Sequence, residues 1–313
     1  MHKARVLFVV TLGALAIGAT SVSKAALFRA YLSSTGSDSN PCTVVAPCRL
    51  LPKALSVTSE GGEIWMLDSA NYNTAQVDVS KSVTLLAVPG ATGSLVATGG
   101  GDAIFISGVG IHVVLRNLVI VSLGPSTNGI EFAQGDTLLV EDCEISNMSG
   151  GAIEASAGAV SVRHAVLRDS GTGFDATGAV VAVLDGVHAE RNSIGVRANS
   201  GARLTVTNSV LAWNATGGHA FAAGGAITRL TVSHSTIQGR NGEASNIQGL
   251  RAEATATSGV TIIVDANVIM GSGNSLVFAN AGGEEVMFTR QNNVIFDTTE
   301  AVRDGTLLNL GAF

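Results

Sequence analysis

The most regular pattern in the chain is a four-residue phrase that recurs between Asn128 and Ala252. It reads glycine or alanine, apolar or small, charged or polar, and small. It occurs as GIEF at 129–132, AIEA at 152–155, GFDA at 173–176, GVRA at 195–198, GGHA at 217–220 and GLRA at 249–252. A period of 20–50 residues is typical of stacked supersecondary units. We therefore predict that the third positions form one outward-facing column, called here the acid–base column: Glu131, Glu154, Asp175, Arg197, His219 and Arg251.

A second phrase alternates apolar and polar residues, as short strands do. It occurs as VLRNLVI at 114–120, VEDCEI at 140–145, VRHAVL at 162–167, VTNSVL at 206–211 and VSHSTI at 232–237, and VLDGVHA at 183–189 fits with a slip of one residue. Stacked parallel coils of this kind would enclose a narrow core of thin apolar side chains. The predicted fold class is therefore all-β, a right-handed single-stranded parallel β-helix (solenoid), with coils over 61–300 and a C-terminal cap over 301–313.

A polar position interrupts each copy of the second phrase where the chain must bend. Asn and Asp tolerate the left-handed conformation that such a corner needs, so this corner column is interpreted as structural. Its predicted members are Asn117, Asp142, His164, Asp185, Asn208 and His234. Arg116, Glu141 and Arg163 lie just before three of these corners and alternate in sign, which is typical of an ordinary surface ion ladder.

A third set of corners lies at Asn147, Asp169, Asn192, Asn214 and Asn241. The residues just before them are Ser146, Arg168, Arg191, Trp213 and Arg240. If these side chains point outward, Arg168, Arg191 and Arg240 could bind carboxylates and Trp213 could stack on a sugar ring. Surface arginines that only cover apolar edges explain the pattern equally well. The segment 240–248 is an insertion relative to the other coils, and such insertions often build a binding surface.

The N-terminal region has the features of a secreted protein. Residues 1–25 combine a basic start, an apolar run over 6–19 and the small residues Ser23 and Ala25, which predicts a signal peptide cleaved after Ala25. No later apolar run has membrane length, so no membrane span is expected after cleavage. Cys42 and Cys48 can form a disulfide in a secreted or periplasmic protein, and Cys143 is interpreted as a buried corner residue.

Residues 26–60 are predicted to form an N-terminal strand, a disulfide loop and a short capping helix. GSDSNP at 36–41 and PCRLLPKAL at 47–55 resemble the start of secreted right-handed parallel β-helix proteins of the pectin-lyase-like fold. The resemblance covers about thirty residues. It implies that the helix near Leu50–Val57 covers the open end of the first coil.

Composition narrows the range of functions. Hydrophobic residues make up 46% and charged residues 13% of the 313 residues, which excludes a disordered chain. The net charge is −6 and there is no basic run, which argues against a nucleic-acid partner.

Three carboxylates on adjacent rungs, Glu131, Glu154 and Asp175, would repel one another and need compensation. A Ca²⁺ ion held by these side chains, pairing of Asp175 with Arg197, or protonation of one carboxyl would each supply it. The column resembles the site of the pectate-lyase group, in which acidic residues hold Ca²⁺ and an Arg abstracts the C5 proton of a uronate. The resemblance implies that Arg197 acts as base or carboxylate clamp, with His219 or Arg251 assisting and Asp175 as a further catalytic candidate.

Three functions fit the sequence. The first is binding, with or without cleavage, of an acidic polysaccharide through Glu131, Glu154, Asp175 and Arg197, as a polysaccharide lyase or glycoside hydrolase. The second is non-catalytic binding of a cell-surface glycan, with Arg251 and the residues before the third corners contributing. The third is a purely structural or adhesive role. The Asn-Thr-Asp, Asp-Asp and Arg-Ile-Lys strings of polygalacturonases do not occur, so a catalytic role depends on the column alone.

Overall fold

The computed structural model describes residues 26–239 and 247–310 and forms a parallel β-solenoid with three sheets. The first sheet has twelve strands: Leu27–Leu32, Thr58–Met66, Val83–Ala87, His112–Arg116, Thr137–Glu141, Ala159–Arg163, Val181–Asp185, Arg203–Thr207, Ile227–Ser233, Gly259–Asp265, Glu284–Thr289 and Leu307–Asn309. The second, called the site sheet, has ten: Val77–Val79, Ile104–Ser107, Ile130–Gln134, Gly151–Ala155, Thr172–Thr177, Ile194–Asn199, Thr216–Ala222, Gln248–Ala254, Asn274–Phe278 and Glu300–Arg303. The third also has ten: Ala70–Asn71, Gly93–Ala97, Leu118–Ser122, Glu144–Ser146, Val166–Arg168, His188–Glu190, Val210–Ala212, Thr236–Gln238, Val268–Met270 and Val294–Phe296.

The core is a narrow apolar column that runs along the solenoid. In strand Thr137–Glu141, Leu138 and Val140 are buried, whereas the residues between and beside them are not. The same alternation recurs in the neighbouring strand Ala159–Arg163, where Val160 and Val162 are buried. Each buried Val or Leu contributes about 1.5–3 kcal/mol relative to exposure, so stacking of the coils is the main source of stability. The all-β parallel fold predicted from the two phrases is confirmed.

The N-terminal region contains the predicted strand, disulfide and helix. Cys42 and Cys48 are bonded and buried. The single α-helix of the described ranges is Leu51–Val57, and it buries Leu51, Ala54 and Leu55. Its role as a cap of the first coil stays a prediction. The predicted signal peptide over 1–25 lies outside the described residues, and no helix in the described part of the chain is long and apolar enough to cross a membrane.

The last two strands add to the sheets as further rungs. Glu300–Arg303 pairs with Asn274–Phe278, and Leu307–Asn309 pairs with Glu284–Thr289. The predicted C-terminal cap therefore begins as regular solenoid, and its final residues 311–313 lie outside the described ranges.

The corner column is right except at one position. Asn117, Asp142, His164, Asn208 and His234 all have positive φ, between 48° and 54°. The prediction is wrong for Asp185, which pairs with Arg163 on the first sheet, whereas Gly186 occupies the corner with φ 64°. Glycine adopts this conformation without a polar side chain, so in this coil the polar residue of the phrase lies one position before the corner.

Asp185 extends the ion ladder instead. Arg116, Glu141, Arg163 and Asp185 occupy successive rungs of the first sheet in register. Nε of Arg116 lies 2.7 Å from Oε2 of Glu141. The charges therefore alternate in sign along this face, as the ladder interpretation predicts, with an ion pair between Arg116 and Glu141.

Cys143 lies next to the corner and is buried. Its thiol donates to the carbonyl of Glu141 at 3.3 Å, and burial raises its pKa to about 12. A thiol that stays protonated at neutral pH is inert, which agrees with a structural role.

Candidate functional site

The six residues of the acid–base column lie in register on six consecutive strands of the site sheet. Glu131 pairs with Glu154, Glu154 with Asp175, Asp175 with Arg197, Arg197 with His219, and His219 with Arg251. Adjacent parallel strands are ~4.8 Å apart, so side chains on successive rungs of the column lie beside one another. The segregation of three acids from the basic residues is therefore a real feature of this face.

The glycine that opens most copies of the phrase is explained by close contact with the backbone of the next coil. A Cβ at Gly173 would lie 2.4 Å from the carbonyl oxygen of Gly195, and a Cβ at Gly195 would lie 2.5 Å from that of Gly217. The backbones of these coils therefore approach too closely for a side chain at Gly173 or Gly195, whereas the copy before Glu154 has Ala152 at this position. This close approach repeats from coil to coil and sets the rungs that carry the column.

At the acidic end, Asn128 positions Glu131. The amide nitrogen of Asn128 donates to Oε2 of Glu131 at 2.9 Å, and its amide oxygen accepts from the backbone N–H of Gly151 at 2.6 Å. The backbone N–H of Asn128 in turn donates to Asp102 at 2.9 Å. These bonds join three coils and fix the orientation of the Glu131 carboxyl.

Burial and like charge act together on the acids. Burial raises the pKa of Glu131 to about 7, with further contributions from the carboxylates of Glu154 and Asp102. Burial and Asp175 raise the pKa of Glu154, whereas Arg197 opposes that rise. The repulsion among the three acids is therefore reduced at Glu131 by a retained proton, which is one of the three means that the sequence left open.

The negative charge of Asp175 is balanced instead by an ion pair with Arg197. Nε of Arg197 donates to Oδ2 of Asp175 at 2.9 Å, and the same oxygen contacts the terminal nitrogen of the guanidinium. The Asp175 side chain is only 3% exposed, so it lies beneath its neighbours although it is on the outer face. Its other oxygen, Oδ1, is buried and has no hydrogen-bond partner among the described residues.

At the basic end, Arg251 and His219 converge on Glu253. Nε of Arg251 lies 3.0 Å from Oε2 of Glu253. Nε2 of His219 lies 3.2 Å from the same oxygen, outside hydrogen-bond geometry. Burial lowers the pKa of His219 and so favours its neutral imidazole, although the nearby Glu253 carboxylate opposes this shift. The ring of Phe221 meets that of His219 edge to face, with centroids 6.1 Å apart.

The acidic residues do not fit the predicted Ca²⁺ site. Within the described ranges, no three His, Cys, Asp or Glu side chains converge as metal ligands do. Asp175 directs one oxygen at Arg197, and Glu131 has a pKa near neutrality, whereas a Ca²⁺ site needs several ionised or carbonyl oxygens at 2.3–2.6 Å. No step is therefore assigned to a metal ion at Glu131, Glu154 and Asp175.

The arginine stripe predicted before the third corners is wrong in register. Arg168 pairs with Glu190 rather than with Arg191, because Arg191 itself occupies the corner with φ 56°. Arg191 binds Asp169 through Nε at 2.7 Å and Glu190 through a terminal nitrogen at 2.9 Å. Arg168 binds Asp169 at 2.7 Å and also contacts Glu144. The two guanidinium groups are thus held in ion pairs instead of forming an open stripe.

Trp213 occupies the next corner of the same row with φ 57° and is 40% exposed. Arg240 and most of the predicted insertion 240–248 lie outside the described residues.

Sequence reasoning missed two groups that complete the face. Asn128 and Asp102 precede the strands of the site sheet, and nothing in the repeated phrase identifies them. A second outward row lies two residues beyond the column and comprises Thr177, Asn199, Phe221 and Glu253, which pair in register. The period-two rule would have found this row once the column was known to face outward.

Comparison with known families agrees with this architecture. Residues 102–263, more than half of the chain, match the family described as right-handed beta helix region. The chain belongs to this family. No curated protein matches this right-handed β-helix protein in sequence.

Solved structures similar to this right-handed β-helix protein share its fold. An alginate lyase from Paenibacillus sp. str. FPU-7 is 12% identical with a TM-score of 0.60, covering 90% of this chain and 99% of the lyase. The pectate lyase Pel9A is 12% identical with a TM-score of 0.58, covering 89% and 78%. A pectin methylesterase from Aspergillus niger is 11% identical with a TM-score of 0.52, covering 90% and 91%. At these identities the likeness shows the fold alone.

Proposed function

We propose that this protein binds a polysaccharide along the site sheet and hydrolyses it with the carboxyl pair Glu131 and Glu154. The observation that carries the proposal is the pairing of two carboxyls on adjacent rungs, one of which has a pKa of about 7. Two acids with different environments are the machinery of most glycoside hydrolases. The three similar structures, by their names, act on alginate, pectate and pectin, which supports a carbohydrate partner.

Glu131 acts as the general acid in this proposal. It is protonated up to about pH 7 and is oriented by Asn128, so it can donate its proton to the glycosidic oxygen as the C–O bond breaks. In this proposal Glu154, whose ionised form is favoured by Arg197 and opposed by burial and Asp175, attacks the anomeric carbon and forms a glycosyl ester. Water then cleaves the ester while Glu131 takes back a proton. The rung spacing of ~4.8 Å favours this two-step route, since direct attack by water needs carboxyls about 6.5–9.5 Å apart.

The charges on the face favour a neutral sugar at the acidic end. Asp102, Glu131, Glu154 and Asp175 lie together there, and Arg197 is already paired with Asp175. An added uronate carboxylate would increase the repulsion between these groups. A neutral pyranose, whose hydroxyls can donate to carboxylates, brings no such cost.

An acidic polysaccharide is the second candidate, supported by Arg197 and Arg251 on the same column. In that case a uronate carboxylate would bind at the basic end, and Arg197 would need to release Asp175 in order to act as clamp or base. The catalytic roles predicted for Arg197, His219 and Asp175 belong to this candidate.

We also propose an extracytoplasmic location, because structural disulfides such as that between Cys42 and Cys48 are typical of oxidising compartments and rare in the cytosol. The predicted signal peptide over 1–25 agrees with it, and in this proposal helix Leu51–Val57 covers the N-terminal end of the solenoid.

The test is a screen of polysaccharides with two readouts. Purified protein is incubated with xylan, glucomannan, polygalacturonate and alginate, and both new reducing ends and the absorbance of unsaturated uronates are measured. Hydrolysis gives reducing ends without new absorbance, whereas elimination gives both. The proposal predicts hydrolysis of a neutral glycan, with a loss of about 100-fold or more in Glu131→Gln and in Glu154→Gln.

Glu141→Gln is the control, because it makes the same change to a carboxyl that lies on the first sheet, in an ion pair with Arg116 and away from the column. Its activity should equal that of the wild type. Elimination products that persist in Glu131→Gln would favour the acidic-polysaccharide candidate. No product from any polymer would leave the structural or adhesive role.

A further inference from the structure

Trp213 has a backbone conformation that is unusual for its residue type. Its φ of 57° lies in the left-handed region, where a Cβ is crowded by the carbonyl oxygen. The equivalent corners on earlier coils hold Asn147, Asp169 and Arg191, also at positive φ. Asn and Asp tolerate this conformation best, and a bulky aromatic tolerates it poorly. Such outliers often mark functional positions, since the surrounding structure must hold them in place.

The contacts of the two tryptophans differ. Trp65 donates from Nε1 to Glu63 at 3.0 Å, is covered by the guanidinium of Arg29 at 4.1 Å and meets the ring of Tyr31 edge-on. Trp213 is 40% exposed and has no aromatic or cation partner among residues 26–239 and 247–310. An exposed ring at a rigid corner leaves an apolar face open to a ligand.

The surroundings of Trp213 identify the class of ligand. The preceding corner, Arg191, is held by Asp169 and Glu190, so its charge is balanced within the protein. A uronate would have to displace one of these carboxylates, whereas a neutral pyranose can stack on the indole without disturbing them. Trp213 also precedes strand Thr216–Ala222, which carries His219 of the acid–base column. A glycan on the site sheet can therefore reach the indole at the edge of that sheet.

We infer that Trp213 is a sugar-stacking subsite for a neutral pyranose, three rungs along the solenoid from the corner that precedes Glu154. Three rungs correspond to about 14 Å, so the subsite would bind a sugar several units from the bond that is cleaved. This inference rests on the carbohydrate-binding half of the proposed function and does not depend on the catalytic roles of Glu131 and Glu154.

Affinity electrophoresis and quenching of fluorescence test this subsite. Wild type, Trp213→Asn and Trp213→Phe are run through gels containing xylan, glucomannan, polygalacturonate or alginate. Asn147 holds the equivalent corner of an earlier coil at positive φ, so Trp213→Asn should fold. It should bind the neutral glycan about tenfold more weakly, and Trp213→Phe, which keeps an aromatic face, should stay within about threefold of the wild type.

Fluorescence supplies a readout that a merely structural role would not change. The chain has two tryptophans, so Trp65→Phe leaves Trp213 as the single tryptophan. The bound neutral glycan should protect the fluorescence of Trp213 from acrylamide. Unchanged affinity in Trp213→Asn, unchanged quenching on addition of the glycan, or protection by the uronate polymers alone would each overturn the inference.

The outcomes separate this inference from the proposed function. Cleavage that needs Glu131, together with unchanged affinity in Trp213→Asn and unchanged quenching of Trp213 in Trp65→Phe, overturns the subsite and leaves the catalytic proposal standing. Retention that depends on Trp213 without any cleavage supports the subsite and overturns the catalytic proposal. A wild type retained by none of the four polymers overturns both.

Discussion

Replacing Glu131 by Gln should make the stability of the protein less dependent on pH. In the folded protein the pKa of Glu131 is raised from 4.5 to about 7 by burial and by neighbouring carboxylates. Between these two values the folded state holds a proton that the unfolded chain has released. The free energy of unfolding of the wild type therefore falls as the pH rises through this window, and the loss is complete above pH 7.

The magnitude follows from the pKa difference of about 2.5. At 1.36 kcal/mol for each factor of ten, the full effect would be about 3.4 kcal/mol. Glu131 is only half-buried, and solvent screening reduces this to about 1–2 kcal/mol. Glu131→Gln cannot ionise, so it should match the wild type near pH 5 and exceed it by about 1–2 kcal/mol near pH 8.

Urea unfolding followed by tryptophan fluorescence measures this difference. The control is Glu141→Gln, whose carboxyl lies in an ion pair on the first sheet. Its stability relative to the wild type should not rise with pH. If the curves of wild type and Glu131→Gln stay parallel from about pH 5 to about pH 8, the argument that burial holds a proton on Glu131 is wrong.

Three further predictions concern the same face. Gly173→Ala should lower the free energy of unfolding by about 2–4 kcal/mol, because the new Cβ would lie 2.4 Å from the carbonyl oxygen of Gly195; a urea midpoint like that of the wild type would contradict this. Arg197→Gln should cost about 2–4 kcal/mol by leaving buried Asp175 unpaired, and Asp175→Asn in the same chain should restore part of it, which a double-mutant cycle measures. Addition of Ca²⁺ should leave the melting temperature unchanged, and a rise that disappears in Glu154→Ala would show that the acidic residues do bind Ca²⁺.

The fold could be predicted from the sequence because it depends on repetition. Each coil must repeat the alternation of buried and outward residues, and the close backbone approach admits only glycine at positions such as Gly173 and Gly195. The acid–base column follows from the same repetition, since five of its six residues stand two positions after a glycine and Glu154 stands two positions after Ala152. A pattern imposed on every coil is visible even when each copy is weak.

The corners were less predictable, because several residue types satisfy the same backbone conformation. Asp185 and Gly186 both fit a polar or small corner pattern, and only the register shows that Gly186 turns and Asp185 pairs with Arg163. Arg191 and Trp213 take corners where Asn or Asp was expected, which displaced the arginine stripe by one residue.

Side-chain chemistry at the column also needed the structure. The sequence left a metal ion, an ion pair and a retained proton equally open for the three acids. The distances assign the ion pair to Asp175 with Arg197, and burial assigns the proton to Glu131. Asn128, which orients Glu131, is invisible in the repeat because it stands before the phrase.

The most direct test of the proposed site is the pH dependence of kcat/KM on the neutral glycan that the wild type hydrolyses. A general acid with a pKa of about 7 predicts that the rate falls above neutrality with that apparent pKa. The residual rate of Glu131→Gln should lack this alkaline limb, and Glu141→Gln should retain it. An alkaline limb that survives in Glu131→Gln would contradict the assignment of Glu131 as the general acid.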